Sequence, residues 1–178
     1  MKVVLIGNSG TGKSTLARQI NANTGWPLLA LDRLWHATDY SAAAKIRFQA
    51  AQTTFMATHA DWVIDGNYSG TLPARIAQAD RIIWLRAPRV VSIARVLRRS
   101  LAFRRDPRTR PDMASGFEEH LDREYLAFLA YVWGYESRAK ATLLPLLAAV
   151  PPVKLRIVQT PMQKAAVLGE LTAKVIET

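Results

Sequence analysis

The 178-residue chain contains no cysteine, so it can form neither disulfide bonds nor thiolate metal sites. It also lacks a run of about 18 apolar residues, the length that spans a bilayer as a helix. Its longest apolar stretch, residues 143–153, is short and contains three prolines. The apolar residues after Met1 are too few for a signal peptide, because a glycine-rich segment interrupts them. These absences predict a cytoplasmic protein.

Acidic residues are scarce in one part of the chain. The 24 lysines and arginines outnumber the 14 acidic residues, for a net charge of +10. Ten of the arginines fall between Arg81 and Arg110, where Asp106 is the one acid, so the rest of the chain is nearly neutral. Such a segment is typical either of a surface that contacts nucleic acid or of a loop that closes over the phosphates of a small substrate.

The clearest motif lies near the start of the chain and has the spacing G-x-x-x-x-G-K-[ST] of a phosphate-binding loop. An apolar run at 3–6 predicts a strand before the motif, and residues 16–20 predict a helix after it. Strand, glycine-rich loop and helix together form the context in which this motif binds nucleotide phosphates. The loop consists of Gly7, Asn8, Ser9, Gly10, Thr11, Gly12, Lys13, Ser14 and Thr15.

The residue types of this loop match the chemistry of a nucleotide. Glycine lets successive N–H groups point toward a phosphate, and the start of a helix adds its positive dipole end. Lys13 would bring a positive charge to the outer phosphates, and Ser14 would offer its hydroxyl to Mg²⁺. The loop therefore predicts that the protein binds ATP together with Mg²⁺.

Two further segments combine an apolar run with an acidic residue. The run at 28–31 predicts a central strand that ends at Asp32, and the run at 62–64 predicts a strand that ends at Asp65. Ligands of open α/β sheets bind at the carboxyl ends of the strands. We therefore predict that Asp65 helps Ser14 to hold the metal. Asp32 would either orient an acceptor hydroxyl and accept its proton or cap the following helix.

Alternating apolar strands and helical patterns predict the fold. Five strands that alternate with helices indicate a three-layer, doubly wound parallel α/β sheet in a single domain, residues 1–178. Two prolines and no periodicity predict a loop over 104–112. The predicted strands are 3–6, 28–31, 62–64, 80–85 and 154–158. The main predicted helices are 13–21, 33–60, one beginning at 87–88, 118–144 with an interruption at Gly134, and one from 161 onward.

In these motifs the chain resembles the nucleoside-monophosphate kinase group of P-loop proteins. It is most similar to the adenylate-kinase-like branch known as topology modulation proteins. The resemblance implies transfer of the γ-phosphoryl group of ATP-Mg²⁺ to a small-molecule or nucleotide acceptor. It also implies an acceptor-binding region at about 32–60 and a lid at about 100–116. The motifs that carry it are the glycine-rich loop, Leu31–Trp35, Ile64–Tyr68, Arg95–Arg99 and Arg110–Met113.

The resemblance implies roles for individual residues. Arg99, Arg104, Arg105 and Arg108 would bind the nucleotide from the lid. Lys13, Asp32, Arg110 and Arg138 would act at the transferred group, and the turn at 159–161 would lie near the base. The acceptor site would consist of Asp32, Arg33, Trp35, Gly66, Asn67, Tyr68 and Arg75.

The chain departs from adenylate kinases in its acceptor region. Those enzymes have Asp-Gly-Phe-Pro-Arg where this chain has Asp-Gly-Asn-Tyr-Ser from Asp65, so Arg75 is the expected replacement for their arginine. Trp35 and His36 stand where they carry another arginine, which disfavours AMP as the acceptor. The alternative function is that of a nucleic-acid-associated ATPase, which would use the arginine-rich segment to bind nucleic acid. The sequence is compatible with both a monomer and a homodimer.

Overall fold

The computed structural model describes residues 1–109 and 122–176. Its sheet has five parallel strands in the order β2-β3-β1-β4-β5, which confirms the predicted doubly wound fold. The strands are β1 Lys2–Gly7, β2 Leu28–Ala30, β3 Trp62–Asp65, β4 Arg81–Leu85 and β5 Leu155–Val158. The helices are α1 Lys13–Thr24, α2 Leu31–His36, α3 Ala42–Thr58, α4 Leu72–Gln78, α5 Arg89–Arg105, α6 Arg123–Trp133, α7 Tyr135–Arg138, α8 Leu144–Ala148 and α9 Pro161–Ile176.

The central strand β1 explains why helices cover both faces of the sheet. Its residues 3–6 are fully buried, and alternate side chains point to opposite faces. Val4 and Ile6 belong to a core that includes residues of α3, α4 and α8. Val3 and Leu5 belong to a second core with residues of α1 and α9. Two apolar faces need two helical layers, which gives the three-layer architecture.

The prediction that residues 28–31 form a central strand is wrong in its position. Strand β2 lies at the edge of the sheet and pairs with β3. Its apolar run has a different explanation, because Leu29 packs against one core and Leu28 against the other. Leu31 already belongs to α2 and is fully buried. An apolar run indicates that a strand is covered on both faces of the sheet. An edge strand between two helical layers is covered in this way, just as a central strand is.

Two predicted boundaries also change. The helical pattern over 33–60 divides into α2 and α3, and the side chain of Ser41 caps the second helix by accepting a hydrogen bond from the Ala44 N–H at 3.0 Å. The expected loop over 104–112 begins later, because Arg104 and Arg105 form the last turn of α5. A buried stripe at Ser92, Val96, Ser100 and Phe103 carries that helix to its end at Arg105.

A 3₁₀ turn, Pro107–Thr109, follows α5, and residues 110–116 of the predicted lid, Arg110 among them, lie outside the described residues. The expected interruption at Gly134 is confirmed, since α6 ends at Trp133 and α7 begins at Tyr135. A π-helical turn, Ala139–Leu143, then leads into α8. Within the described part of the chain, no helix is long and apolar enough to cross a membrane.

Candidate active site

The glycine-rich loop turns sharply at the carboxyl end of β1 and leads into α1. Gly10 has a φ of +79°, and a Cβ there would lie 2.3 Å from the Ser92 carbonyl oxygen. Gly7 has a φ of +148°, and a Cβ there would lie 2.3 Å from the Leu85 carbonyl oxygen. These distances allow no side chain at either position, so the loop packs directly against the end of β4 and the first turn of α5.

Three side chains from neighbouring elements and one from the loop itself fix the loop. The Asn67 amide donates to the Gly7 carbonyl and accepts from the Gly7 N–H, both at 2.9 Å. Asn8 donates to the Val132 carbonyl at the end of α6 at 2.8 Å. Lys164 of α9 donates to the Thr11 carbonyl at 2.5 Å, and Arg95 of α5 donates to the Gly10 carbonyl at 3.4 Å. The loop shape is therefore determined by the packed domain as well as by its glycines.

Sequence reasoning missed Lys164. Its carbonyl partner belongs to the phosphate-binding loop, 153 residues earlier in the chain. Burial lowers the pKa of the Lys164 amine, and the charge of Arg95 lowers it further. In the sequence Lys164 is a single lysine early in the last predicted helix, and nothing in its surroundings distinguishes it from a lysine that faces solvent.

Lys13 and Asp65 form an ion pair beneath the loop. The Lys13 Nζ lies 2.5 Å from Asp65 Oδ1, and the two residues are 9% and 4% exposed. Asp65 ends β3 and pairs in register with Leu5 of β1, which confirms that its strand neighbours the loop strand. The carboxylate thereby lies at the carboxyl edge of the sheet, as the sequence predicts.

Asp32 and Tyr68 form a second polar pair. The Tyr68 hydroxyl donates to Asp32 Oδ1 at 3.0 Å. Burial raises the pKa of the Tyr68 phenol, and the negative charge of Asp32 raises it further, so the hydroxyl keeps its proton. Ala30 occupies the N-cap position of α2, so interpreting Asp32 as a helix cap is wrong. The carboxylate is instead held at the surface of a cavity.

This cavity has a volume of about 1180 Å³ and joins the glycine-rich loop to α2 and to helices α5 to α8. Common single-ligand pockets measure about 300–1000 Å³, so this cavity is larger than one such ligand requires. It brings together many of the predicted residues. They are Gly7, Asn8, Ser9, Gly10, Gly12, Lys13, Ser14, Thr15, Asp32, Trp35, Asn67, Tyr68, Arg99 and Arg138.

Arg138 lies at this cavity as predicted, and its side chain is held by Tyr131. Its Nη2 donates to the Tyr131 carbonyl, and its guanidinium carbon lies 3.7 Å from the centre of the Tyr131 ring. Arg18, Arg95 and Arg98 also line the cavity and were not predicted to do so. The sequence could have indicated Arg95 and Arg98 as site residues. Together with Arg99 they have the three- and four-residue spacing that places side chains on one face of a helix.

Several predicted residues lie outside the cavity wall. Thr11 is buried behind the loop, and its hydroxyl donates to the Asn8 carbonyl at 2.7 Å. Gly66 packs under Leu31, where a Cβ would lie 2.8 Å from the leucine Cβ. Four arginines of the predicted site are exposed and do not line the cavity either. One of them, Arg108, pairs with Asp106 at 3.1 Å. The four are Arg33, Arg104, Arg105 and Arg108.

The expectation that Arg75 binds the acceptor is corrected by its burial. Arg75 is fully buried, and its guanidinium donates to the carbonyls of Gly66, Asn67 and Tyr68 at 2.7, 2.5 and 3.0 Å. Burial lowers the pKa of this guanidinium to about 10, whereas the nearby Asp65 charge raises it. Arg75 thus holds the loop that presents Asn67 to the glycine-rich loop and Tyr68 to Asp32.

We expect Arg75→Met to destabilise the protein by about 3 kcal/mol, because three carbonyls lose a charged, buried donor. For a domain of this size that corresponds to a fall in Tm of roughly 6–12 °C. Differential scanning calorimetry measures it. Arg47→Met is the matched control, since Arg47 is 62% exposed and its ion pair spans 3.6 Å. Equal Tm values for the two variants would contradict the role of Arg75.

No protein-family model matches the chain, and neither does any curated protein. Solved structures do match over nearly its whole length. A presumed kinase from Chloroflexus aurantiacus has 19% identity and a TM-score of 0.60, over 97% of each chain. Shikimate kinase from Acinetobacter baumannii has 13% identity and a TM-score of 0.52, over 99% of this chain and 93% of that chain. Deoxyadenosine kinase from M. mycoides has 15% identity and a TM-score of 0.53, over 97% and 100%. The chain therefore has the fold of the P-loop kinases.

Proposed function

We propose that the protein transfers the γ-phosphoryl group of ATP-Mg²⁺ to the hydroxyl of a small acceptor. The observation that carries this proposal is a single cavity that holds a complete phosphate-binding loop together with the Asp32–Tyr68 pair. A loop alone would suit any nucleotide-binding protein. A carboxylate in the same cavity adds the group that a transfer to a hydroxyl requires.

The residues at the loop fit ATP-Mg²⁺. Loop N–H groups and Lys13 would bind the phosphates, and cations from α1 and α5 line the same space. Ser14 lines the cavity, and its hydroxyl together with the buried Asp65 carboxylate beside Lys13 would offer the oxygen ligands that Mg²⁺ prefers. The ion would neutralise charge on the phosphates when bound. The cations are Arg18, Arg95, Arg98 and Arg99.

Asp32 would orient the acceptor and take its proton. In the transfer, the acceptor oxygen forms the new bond to the γ-phosphorus, and the bond from that phosphorus to the bridging oxygen of ADP breaks. The hydroxyl proton passes to the Asp32 carboxylate. Tyr68 keeps that carboxylate in place, because its own hydroxyl stays protonated. Arg138 would stabilise charge on the transferred group.

The structural neighbours support this function without naming the acceptor. Their names give two different acceptors, shikimate and deoxyadenosine, on one fold. We extend the proposal to an acceptor region at about 32–60, where Asp32 and Trp35 line the cavity. The topology-modulation branch, the cytoplasmic location and the lid beyond Thr109 stay predictions.

Acceptor-dependent ADP release tests the proposal. The protein is incubated with ATP-Mg²⁺ and, in separate reactions, with nucleosides, nucleoside monophosphates, sugars and hydroxy acids. We expect one class to accelerate ADP release above the rate without acceptor. Release at the same rate in every reaction would leave an ATPase and remove the kinase proposal.

Exposed arginines favour a second candidate, a nucleic-acid-associated ATPase. Arg104 and Arg105 at the end of α5 and Arg108 just after it are exposed and do not line the cavity, so a phosphodiester backbone could reach them. Binding to labelled duplex and single-stranded DNA at rising salt separates the two functions. An affinity that falls steeply with salt, together with ADP release that DNA alone stimulates, would favour the second candidate.

A further inference from the structure

The cavity changes character away from the glycine-rich loop. Cationic side chains line it from α1 and α5, and Arg95 reaches the loop itself. Other described lining residues, from α2, the β3–α4 loop, α4, α7, the π-helical turn and α8, form a wall of rings and aliphatic side chains, and the lining also includes the polar side chains of His36, Ser69 and Thr142. That wall consists of Trp35, Tyr68, Leu72, Tyr135, Leu143 and Leu146.

Trp35 is the fixed centre of this wall. It is half-buried, and its ring meets those of Tyr40, Phe48 and Tyr68 edge-on, at centroid distances of 5.5, 5.3 and 6.5 Å. Phe48 in turn lies 4.9 Å from Tyr68. Edge-on contacts lock the orientation of the indole ring. An indole ring at the cavity surface is a preformed platform for a second flat ring.

Charge on this side of the cavity disfavours an anionic acceptor. Three described carboxylates line the cavity, those of Asp32, Asp122 and Glu124, and an anionic acceptor beside Asp32 would be repelled. Arg138, the cation that the described part of α7 contributes, bonds the Tyr131 carbonyl and is the residue proposed to act on the transferred phosphoryl group rather than on the acceptor. The exposed Arg33 and the buried Arg75 do not line the cavity. A neutral hydroxyl, by contrast, can donate to Asp32.

We infer that the acceptor is a nucleoside, a neutral compound with a flat base and a hydroxyl-bearing sugar. Its base stacks on Trp35, and a sugar hydroxyl donates to Asp32. A free sugar fits less well, because its hydroxyls need many polar partners and the rings and aliphatic side chains of this wall offer few. This inference rests on the proposed function, since it specifies the acceptor of the same phosphoryl transfer.

Calorimetry with the full chain tests the inference after the nucleotide site has been saturated with the non-hydrolysable ATP analogue AMP-PNP and Mg²⁺. Adenosine, guanosine, cytidine and thymidine are compared with their 5′-monophosphates, glucose and gluconate. We expect at least one nucleoside to bind about tenfold more tightly than its monophosphate and than either sugar compound. Tightest binding by a monophosphate, glucose or gluconate would overturn the inference, as would no binding by any nucleoside.

Variants of Trp35 locate the bound base. Trp35→Ala should weaken nucleoside binding by about tenfold or more, because it removes the stacking surface. Trp35→Phe keeps a ring against Phe48 and should lose less. Trp133→Ala is the control, since Trp133 is 48% exposed and lies outside the cavity wall.

The affinity for AMP-PNP distinguishes failure of the nucleoside inference from failure of the proposed function. All three variants should bind AMP-PNP as the wild type does, which also shows that they are folded. Unchanged nucleoside affinity in Trp35→Ala would overturn the inference while the proposed function stands. Failure of the wild type to bind AMP-PNP would overturn the proposed function itself.

Discussion

Lys13→Met should lower acceptor-dependent ADP release by about 100- to 1000-fold. The substitution removes the positive charge that the loop brings to the outer phosphates while keeping most of the side-chain volume. Lys45→Met on the exposed surface of α3 is the matched control and should retain wild-type turnover. Initial rates at saturating ATP-Mg²⁺ measure the difference.

The same substitution also affects folding, because Lys13 is the partner of a buried carboxylate. Asp65 is 4% exposed, and removal of Lys13 takes away the partner that lies 2.5 Å from its carboxylate. We expect a loss of about 3 kcal/mol in the free energy of unfolding. The double variant Lys13→Met/Asp65→Asn removes the unpaired charge and should recover most of that stability.

The double variant separates catalysis from folding. It should remain as inactive as the single variant although its stability returns. Recovery of turnover together with stability would contradict a direct role for Lys13 and reduce it to a partner of Asp65.

Asp32→Asn should lower kcat by about 100-fold or more, because the amide cannot accept the acceptor's proton. The KM for ATP should stay near its wild-type value, since Asp32 belongs to α2 and not to the glycine-rich loop that would bind the nucleotide. Asp39→Asn, at a side chain that is 65% exposed, is the matched control and should leave kcat unchanged. Wild-type kcat in Asp32→Asn would show that the carboxylate only supports the structure.

Tyr68→Phe tests how the carboxylate is held. It removes the hydroxyl that donates to Asp32 at 3.0 Å and keeps the ring that packs on Phe48. We expect a loss of about tenfold in kcat, since a hydrogen bond to a charged group contributes about 1.5–3 kcal/mol. A stability loss without any change in kcat would contradict this positioning role.

The glycine-rich loop and the ends of β1 and β3 could be predicted because local pattern determines them. Glycines at fixed spacing between a strand and a helix have few alternatives, and Asp65 follows directly from a buried strand. Parallel strands then place Asp65 beside the loop. No long-range information is needed for these features.

Side-chain destinations could not be predicted in the same way. Arg75 and Arg104 are the same residue type, yet one is fully buried under three carbonyls and the other is exposed. Whether an arginine is buried or exposed depends on which backbone carbonyls lack another hydrogen-bond donor in the folded chain. Tertiary packing determines this. Lys164 is a similar case, because its partner on Thr11 comes from the other end of the chain.

Phosphorus-31 NMR of ATP-Mg²⁺ with a pool of nucleosides, nucleoside monophosphates, sugars and hydroxy acids tests the central claim most directly. We predict that a phosphate-ester resonance grows in step with ADP when the wild-type protein is added, and that Lys13→Met prevents its growth. Intact ATP, or inorganic phosphate as the sole new product beside ADP, would contradict phosphoryl transfer by this protein.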